Sequence, residues 1–446
     1  MNVELRCEGC GWRPPPLREA PLPFRCAHHG EGEVDHLLAP TLDARAAMWP
    51  SGRSENPFVR YRTLLHAYAA ARSVGLSDDA YVSIVEALDA RVVAVDGRGF
   101  RVTPFRAGPT LDDGSTTWVK DDSVNVSGSH KGRHLFGILV HLAVMRAAKL
   151  DDGDAPLAIA SCGNAALAAA VLARAAERAL DVYVPPDAHP AVLKRLRDLG
   201  ADVHVREREP GETGDPCVTA FRHSVERGWV PFACQGTDNG LTLDGGRTLG
   251  YELVDAPVTL DRVFVQVGGG ALASSVARAF EEARALGVIP RVPRIMAVQG
   301  EAVAPLVVGY ERAVQAVAKR VSEALPRDPD ERAERIAKTP ELERVLDDLA
   351  AHRARFLFAW PMPGPSVAHG ILDDETYDGV AVLRSVMRSG GRVLRVAEET
   401  LAEAERHGGG VVDATGTAGL AGLLTWTREH PRRPESRAVL FTGATR

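Results

Sequence analysis

The sequence predicts an α/β protein with two doubly wound parallel-sheet domains that face each other across a cleft, preceded by a small cysteine-bearing segment. From about residue 117, short apolar runs alternate with longer Ala-rich stretches, which is typical of a parallel sheet covered by helices on both faces. A break near residues 235–260 divides this alternation into two blocks. A chain of 446 residues is also too long for one ordinary domain.

The elements follow in chain order. Residues from about 41 to 110 are rich in Ala and Leu and predict mostly helices. Apolar runs predict strands at Thr117–Lys120, Pro156–Ala160, Asp181–Val184, Asp202–Val205, Arg262–Val267, Arg294–Val298, Arg392–Val396 and Ala438–Phe441. Helices are predicted at Lys131–Lys149, Ala165–Ala179 and Pro190–Leu199, and from the loop after Val267 through about Ala285. Residues 311–357 carry Glu and Arg at helical spacing, which predicts a solvated helical insertion.

Composition and charge exclude several classes of protein. The chain has 53 Lys and Arg against 59 Asp and Glu, so it lacks an overall basic footprint for nucleic acid. No apolar run reaches the ~18 residues that cross a bilayer, and the first residues lack the pattern of a signal peptide. Six cysteines in so long a chain do not make a secreted disulfide scaffold. We therefore expect a cytoplasmic enzyme with no nucleic-acid or membrane partner.

The N-terminal segment, residues 1–40, carries a cysteine pattern that suits zinc. Cys7 and Cys10 form a C-x2-C pair, and Cys26 follows with His28 and His29 close behind. Tetrahedral Zn²⁺ takes such ligands from two tight turns. We expect a structural zinc-ribbon-like site of Cys7, Cys10, Cys26 and His29, with His28 as the alternative fourth ligand. The other interpretation is a set of reduced thiols beside a chance histidine pair.

A loop rich in Ser, Gly and Asn precedes the helix that begins at Lys131. The lysine lies at a positive helix end beside His130, Arg133 and His134. Nearby positive charge favours a neutral amine, which Schiff-base chemistry requires. A solvated lysine at a helix start is the alternative.

The turn Ser161-Cys162-Gly163-Asn164 lies between a predicted strand and an Ala-rich helix. Ser161 or Asn164 can cap that helix, and the exposed amides at its start can hold a carboxylate or phosphate oxygen. Plain capping without a ligand is the alternative. No His or Asp partner for a nucleophilic Cys162 is evident locally, so we expect this residue to be small and packed.

The glycine loop Gly268-Gly269-Gly270-Ala271-Leu272 follows a buried-strand run and opens a helix. Glycines let the backbone approach an anion closely, and the helix amides supply donors. Gly268, Gly270 and Ala273 also satisfy the G-x-G-x-x-A pattern of a dinucleotide site. The acid expected about 20 residues further on is hard to find, so a single phosphate is favoured.

Taken in order, these motifs resemble those of fold-type II pyridoxal-phosphate enzymes, the tryptophan-synthase-β-like family, and most of all those of threonine synthases. The matching segments are Cys7, Cys10 and Cys26; Gly128-Ser129-His130-Lys131-Gly132-Arg133; Ser161-Cys162-Gly163-Asn164; Gly245-Gly246-Arg247-Thr248; Gly268 to Leu272; and Val439-Leu440-Phe441-Thr442-Gly443. His130 stands where threonine synthases have Phe. The resulting His-Lys pair is more like that of tryptophan synthase β itself. Gly132 replaces Asp, and Cys162 replaces Ser.

The resemblance implies the tryptophan synthase β-like fold over residues 41–446, with pyridoxal 5′-phosphate as cofactor. Lys131 would hold the cofactor and act as general base and acid. Asn164 would contact the ring hydroxyl, Gly268 to Leu272 would hold the phosphate, and Thr442 would face the ring nitrogen. Ser129 and the turn from Ser161 to Ala165 would bind the substrate.

The implied activity is a lyase reaction on an amino acid, by β- or γ-elimination or replacement. O-Phosphohomoserine conversion to threonine is the first expectation, and a serine/threonine dehydratase or a β-replacement synthase is the alternative. A nucleotide-binding oxidoreductase and a non-catalytic zinc-ribbon protein are the more distant interpretations. A homodimer is the symmetric default.

Overall fold

A computed structural model describes residues 2–111, 116–209, 214–361, 364–430 and 435–445. The strands are β1 (Val3–Cys7), β2 (Leu38–Leu42), β3 (Phe105–Thr110), β4 (Thr116–Asp121), β5 (Leu157–Ala160), β6 (Leu180–Val184), β7 (Asp202–Val205), β8 (Val230–Pro231), β9 (Arg262–Gln266), β10 (Arg294–Gly300), β11 (Val393–Val396) and β12 (Arg437–Phe441).

The helices surround two sheets and are numbered along the chain. They are α1 (Pro57–Arg60), α2 (His66–Ser73), α3 (Asp78–Asp96), α4 (Lys131–Ala147), α5 (Asn164–Ala175), α6 (Pro190–Asp198), α7 (Pro216–Glu226), α8 (Thr242–Val254), α9 (Ala271–Ala285), α10 (Pro305–Ala318), α11 (Pro329–Ile336), α12 (Glu341–Ala351), α13 (Arg353–Phe356), α14 (Gly379–Arg388), α15 (Glu398–His407) and α16 (Ala414–Glu429). No described helix is long and apolar enough to cross a membrane.

The large sheet has the strand order β11-β10-β9-β12-β4-β3. Its strands run parallel except β3, which pairs antiparallel with β4. The first predicted strand of the α/β region, β4, therefore lies in the sheet of the second block. The last strand, β12, lies between β9 and β4, where apolar residues are buried on both faces.

The small sheet has the order β7-β6-β5-β8 and is entirely parallel. Apolar residues of these strands and of α3 to α5 form one continuous core. A second core lies between the large sheet and helices α9, α10, α12 and α14. The predicted α/β fold with parallel sheets is confirmed.

Two helices cross closely beneath the lysine loop. A Cβ on Gly137 of α4 would lie 2.6 Å from the backbone nitrogen of Gly245 in α8. Only glycine permits this approach of two backbones. The contact fixes α4, which carries Lys131, against α8.

The segment 311–357 is helical, as predicted, but part of it is buried in the core and is not exposed to solvent. Leu342, Val345, Leu346 and Leu349 of α12 are almost fully buried in the second core. They recur at helical spacing along one face, while the Glu and Arg residues take the other. The charge pattern revealed only the outer face of this amphipathic helix.

Candidate active site

The loop that leads into α4 carries the lysine of the candidate site. It turns through Ser127 and Gly128, which both have positive φ (56° and 68°). Ser129 then forms a β-bridge with Gly443, just beyond the last strand. Lys131 follows, half-buried at the start of α4. This position is at the carboxyl edge of the large sheet, where ligands of parallel sheets bind.

A buried ion-pair network fixes the first turn of α4. The Arg133 guanidinium donates to Asp122 (Nη2 to Oδ1, 2.8 Å) and to Glu252 of α8 (Nη1 to Oε1, 2.5 Å). Lys120 pairs with the other oxygen of Glu252 (Nζ to Oε2, 2.5 Å). Removing one partner would leave a buried charge uncompensated. The network therefore ties the start of α4 to β4 and to α8.

The two histidines near Lys131 are neutral, which corrects the sequence argument. Burial lowers the pKa of His130 well below its usual value and lowers that of His134 to about 3, and the charge of Lys131 adds to both effects. The His130 ring nitrogen Nδ1 lies 3.2 Å from the carbonyl oxygen of Thr442. The charge of Arg133 is paired with Asp122 and Glu252. The two histidines and Arg133 therefore do not form the expected cluster of unpaired positive charges around Lys131.

Thr442 follows β12 directly and is buried. The side-chain amide of Gln266, the last residue of β9, donates to its hydroxyl oxygen at 2.5 Å and to the Gly416 carbonyl at 3.0 Å. Because the hydroxyl oxygen accepts this bond, its proton is left to donate elsewhere. The sequence analysis missed Gln266, whose one signal is a polar residue at the end of an apolar strand.

The turn from Ser161 to Ala165 opens toward free space. Gly163 takes the N-cap position of α5 without a side-chain cap. Capping by Ser161 or Asn164 is therefore wrong, and the Ser161 hydroxyl instead accepts from the Gly163 amide at 3.4 Å. A Cβ on Gly163 would meet no atom within 4 Å. Asn164 lies against the chain beyond β12, its Nδ2 at 2.8 Å from the Cβ position of Gly443.

Cys162 is exposed at this turn, so the prediction of a packed side chain is wrong. Desolvation of the sulfur, together with the carboxylates of Asp187 and Asp215, raises the pKa of the thiol. The thiolate is the nucleophilic form. Cys162 is thus not an activated nucleophile.

The glycine loop joins β9 to α9 and faces an acid that the sequence analysis missed. Gly270 has φ of 101°, and α9 begins at the next residue. The carboxyl group of Asp373 lies against this loop. Its Oδ2 occupies the space that a Cβ on Gly268 would need. Burial raises the pKa of Asp373, and the charge of Lys131 opposes that rise.

Asp373 belongs to an acidic segment, residues 371–378, that covers the loop. The Tyr377 ring lies 3.2 Å from the Cβ position of Gly269. The Asp378 amide donates to the Gly269 carbonyl at 2.8 Å. In the sequence this segment shows only a run of acids, with nothing that links it to a loop so far away along the chain.

The cysteine cluster forms with a different histidine from the one predicted. Cys7, Cys10, Cys26 and His36 place their ligand atoms within 4.8 Å of one another. The Cys7 and Cys26 sulfurs lie 3.6 and 3.7 Å from His36 Nδ1. His29, the predicted ligand, is outside this group, and so is His28, which contacts Glu31.

The position of His36 beside the cysteines follows from strand pairing. Cys7 lies opposite Leu38 in the antiparallel β1–β2 pair, so His36, two residues before Leu38, comes beside Cys7. The sequence analysis did not predict β1 and β2, and it therefore took the histidines nearest to Cys26.

The residues at the sheet edge fit a phosphorylated cofactor that reacts with an amine. The Ser129 hydroxyl is buried and has no hydrogen-bond partner among the residues that the structure describes. The Thr442 hydroxyl has a proton to donate, and the glycine loop leads into the N-terminus of α9, which favours an anion. One feature opposes binding, because the carboxylate of Asp373 lies against the loop that would hold the phosphate.

Three features define the class of enzyme: a half-buried lysine at a helix start, a hydroxyl at the end of the central strand, and a glycine loop. Such enzymes hold a phosphorylated cofactor through an amine. A family model described as "Pyridoxal-phosphate dependent enzyme" matches residues 98–443. The chain belongs to this family. The match leaves the dinucleotide alternative without support.

Curated relatives include both dehydratases and a threonine synthase. The chain is 31% identical over 188 residues to the L-serine dehydratase/L-threonine deaminase of Bos taurus, covering 40% of this chain and 53% of that protein. It is 27% identical over 216 residues to the threonine synthase of Mycobacterium leprae (strain TN), covering 46% and 55%. The chain thus spans about half the length of these curated relatives.

Solved structures share the fold across most of the chain. Maize serine racemase aligns with a TM-score of 0.54 at 18% identity, covering 80% of this chain and 92% of that one. Threonine deaminase isoform 2 from Solanum lycopersicum aligns with a TM-score of 0.56 at 17% identity, covering 84% and 92%. At these identities the likeness concerns the fold alone.

Proposed function

We propose that this protein is a pyridoxal-phosphate-dependent lyase that acts on an amino acid by β- or γ-elimination or replacement. The bound cofactor supplies an electron sink for the α-carbon of the amino acid. Lys131 would hold the cofactor through Nζ and would move the α-proton as general base and acid. Backbone amides from Gly268 to Leu272 would bind the phosphate.

The other residues of the site orient the two ligands. Asn164 would donate to the ring hydroxyl. The open turn from Ser161 to Ala165, with Ser129, would bind the substrate carboxylate, since the first amides of α5 carry no side-chain cap.

The hydroxyl of Thr442 is the observation that carries the reaction type. Its oxygen accepts a hydrogen bond from Gln266, so the hydroxyl can donate a hydrogen bond to a ring nitrogen but cannot stabilise a full positive charge there. An unprotonated ring favours elimination and replacement over transamination. Thr442→Asp would place a negative charge beside the nitrogen and raise its pKa. We expect slower elimination and a changed product ratio, whereas unchanged spectra and products in both Thr442→Asp and Thr442→Ala would contradict the role.

A threonine-synthase-like reaction on O-phosphohomoserine is the first candidate, supported by the ordered motifs and by the relative from Mycobacterium leprae. A serine/threonine dehydratase is supported equally by the bovine relative. Incubation of the purified holoenzyme with O-phosphohomoserine, serine and threonine separates the two. Threonine with released phosphate supports the first, and a 2-oxo acid with ammonia supports the second. A holoenzyme with the cofactor's absorption band but no turnover of any amino acid would contradict both.

We also propose that Cys7, Cys10, Cys26 and His36 bind one structural zinc ion. Three sulfurs and one imidazole nitrogen complete a closed tetrahedral site with no position for substrate. His36→Ala should lower the zinc content of the purified chain, while His29→Ala should leave it unchanged. Equal zinc content in the two variants would contradict the assignment of His36.

A further inference from the structure

A second cluster of metal-ligand side chains lies on the small sheet, away from the candidate active site. Asp181 on β6 pairs in register with Asp202 on β7. His204 lies two residues after Asp202, so its side chain is on the same face of the sheet. The ligand atoms of these three residues lie within 4.8 Å of one another. They occupy β6 and β7, whereas the active-site turn follows the carboxyl end of β5.

The distances suit a cation held between the three side chains. His204 Nε2 lies 3.6 Å from Asp181 Oδ1 and 3.6 Å from Asp202 Oδ2. Two ligands of a tetrahedral zinc ion lie about 3.4 Å apart when each bond is near 2.1 Å. These separations are too long for hydrogen bonds, and within the described part of the chain Nε2 is a buried atom without a hydrogen-bond partner.

The charges of the two carboxylates and the orientation of the side chains also favour a bound cation. Two carboxylates directly opposite each other on neighbouring strands repel. Among the residues that the structure describes, His204 is the only group that pairs with either carboxylate as an ion pair. Trp229 Nε1 donates to Asp181 Oδ2 at 2.8 Å, which turns Oδ1 toward the histidine. The His204 ring stacks on Tyr183, with 5.0 Å between ring centroids.

We propose that Asp181, Asp202 and His204 form a divalent transition-metal site, with zinc as its best occupant and water in the open position. An imidazole with two carboxylates favours zinc over calcium or magnesium, which prefer oxygen ligands alone. The Trp229 indole orients a metal ligand in the way that outer hydrogen bonds do in known sites. The metal would fasten the edge strand β7 to β6.

Zinc titration of the purified holoenzyme, with its ribbon site already loaded, tests this site. Isothermal titration calorimetry should find one further zinc ion per chain. His204→Gln and Asp202→Asn should each weaken this binding more than tenfold, and Trp229→Phe should weaken it about tenfold. Asp198→Asn, which removes the same charge from α6, should bind as the unchanged chain does. Added zinc should raise the melting temperature of the unchanged chain and not that of His204→Gln.

Two results would overturn the proposal. One is equal zinc binding by the unchanged chain and His204→Gln. The other is no zinc binding by a folded, unchanged chain at neutral pH. Cobalt serves as a second probe, because thiolate-to-cobalt charge-transfer absorption would mark the ribbon and not a site without sulfur.

Discussion

Two strand–turn–helix units of this chain present helix amides to a ligand, and they differ in what lies in front of them. The turn before α5 is open, and a Cβ on Gly163 would meet nothing within 4 Å. The loop before α9 is covered by the acidic segment, with Asp373 Oδ2 in the space that a Cβ on Gly268 would need. The same local pattern thus leaves the first helix amides open in one unit and covered by an acidic segment in the other.

This difference shows which features of a turn depend on local sequence and which depend on long-range packing. Each glycine-bearing turn can be recognised within a few residues. What covers each turn depends on segments that lie elsewhere in the chain. Substitutions on the two sides should therefore have unequal effects.

The largest effect is expected at Lys131, which lies between the two units. Lys131→Ala should abolish turnover and the cofactor absorption near ~410–430 nm, because it removes the amine that is proposed to hold the cofactor. Absorption before and after borohydride measures this. Lys194→Ala, at an exposed position of α6, is the control. A borohydride-reducible adduct that persists in Lys131→Ala would contradict the assignment.

Alanine substitutions at Gly268 and Gly163 compare the packing of the two loops directly. In Gly268→Ala the new methyl group collides with Asp373 Oδ2 and lies 3.1 Å from Ile371 Cα, so we expect a loss of about 1–3 kcal/mol of unfolding free energy. Gly163→Ala meets open space and should change stability by less than about 0.5 kcal/mol. Urea denaturation measures both. Equal losses would show that the two loops are packed alike.

Removing the charge of Asp373 should favour cofactor binding. Asp373→Asn should tighten the binding of pyridoxal phosphate to the apoprotein by about tenfold, or ~1.4 kcal/mol, since a phosphate no longer displaces or faces a carboxylate. Titration followed by absorbance measures the dissociation constant. Asp374→Asn is the control, because it makes the same change in net charge at the next residue. If both variants bind equally, the contact of Asp373 with the glycine loop has no specific role.

A smaller effect is expected from Asp378 behind the covered loop. Burial raises its pKa to about 8, with Asp35 and Asp238 adding to the rise and the Gly236 amide opposing it. The folded chain thus holds this proton more tightly than the unfolded chain, in which the pKa is about 3.9. The contribution to stability is complete below about pH 4 and declines toward pH 8, by at most about 1.4 kcal/mol per pH unit.

Asp378→Asn should flatten this slope. Asp35 has a pKa of about 6, raised mainly by burial, so the change should be clearest between about pH 6 and pH 8. Chemical denaturation at several pH values measures it. An unaltered slope in the variant would show that Asp378 does not carry the effect.

The sequence predicted the parts of the site that depend on neighbours along the chain. Lys131, the open turn and the glycine loop all lie at strand–helix junctions, where apolar periodicity and glycine mark the boundary. Gln266, Asp373 and His36 were missed because each acts across strands or loops that meet only in the folded chain. The charges assigned around Lys131 were wrong because sequence alone does not reveal that burial neutralises His130 and His134.

The position of β12 has a consequence for how the protein is made. Strands β3 and β4 are synthesised before β12, and they cannot join the rest of their sheet in the native order until Arg437–Phe441 has been added between β4 and β9. A nascent chain that stops before this point leaves two strand edges open in the middle of a sheet, where they are prone to mispairing. The residue that follows the strand is Thr442. Completion of the sheet and delivery of this hydroxyl are therefore one event.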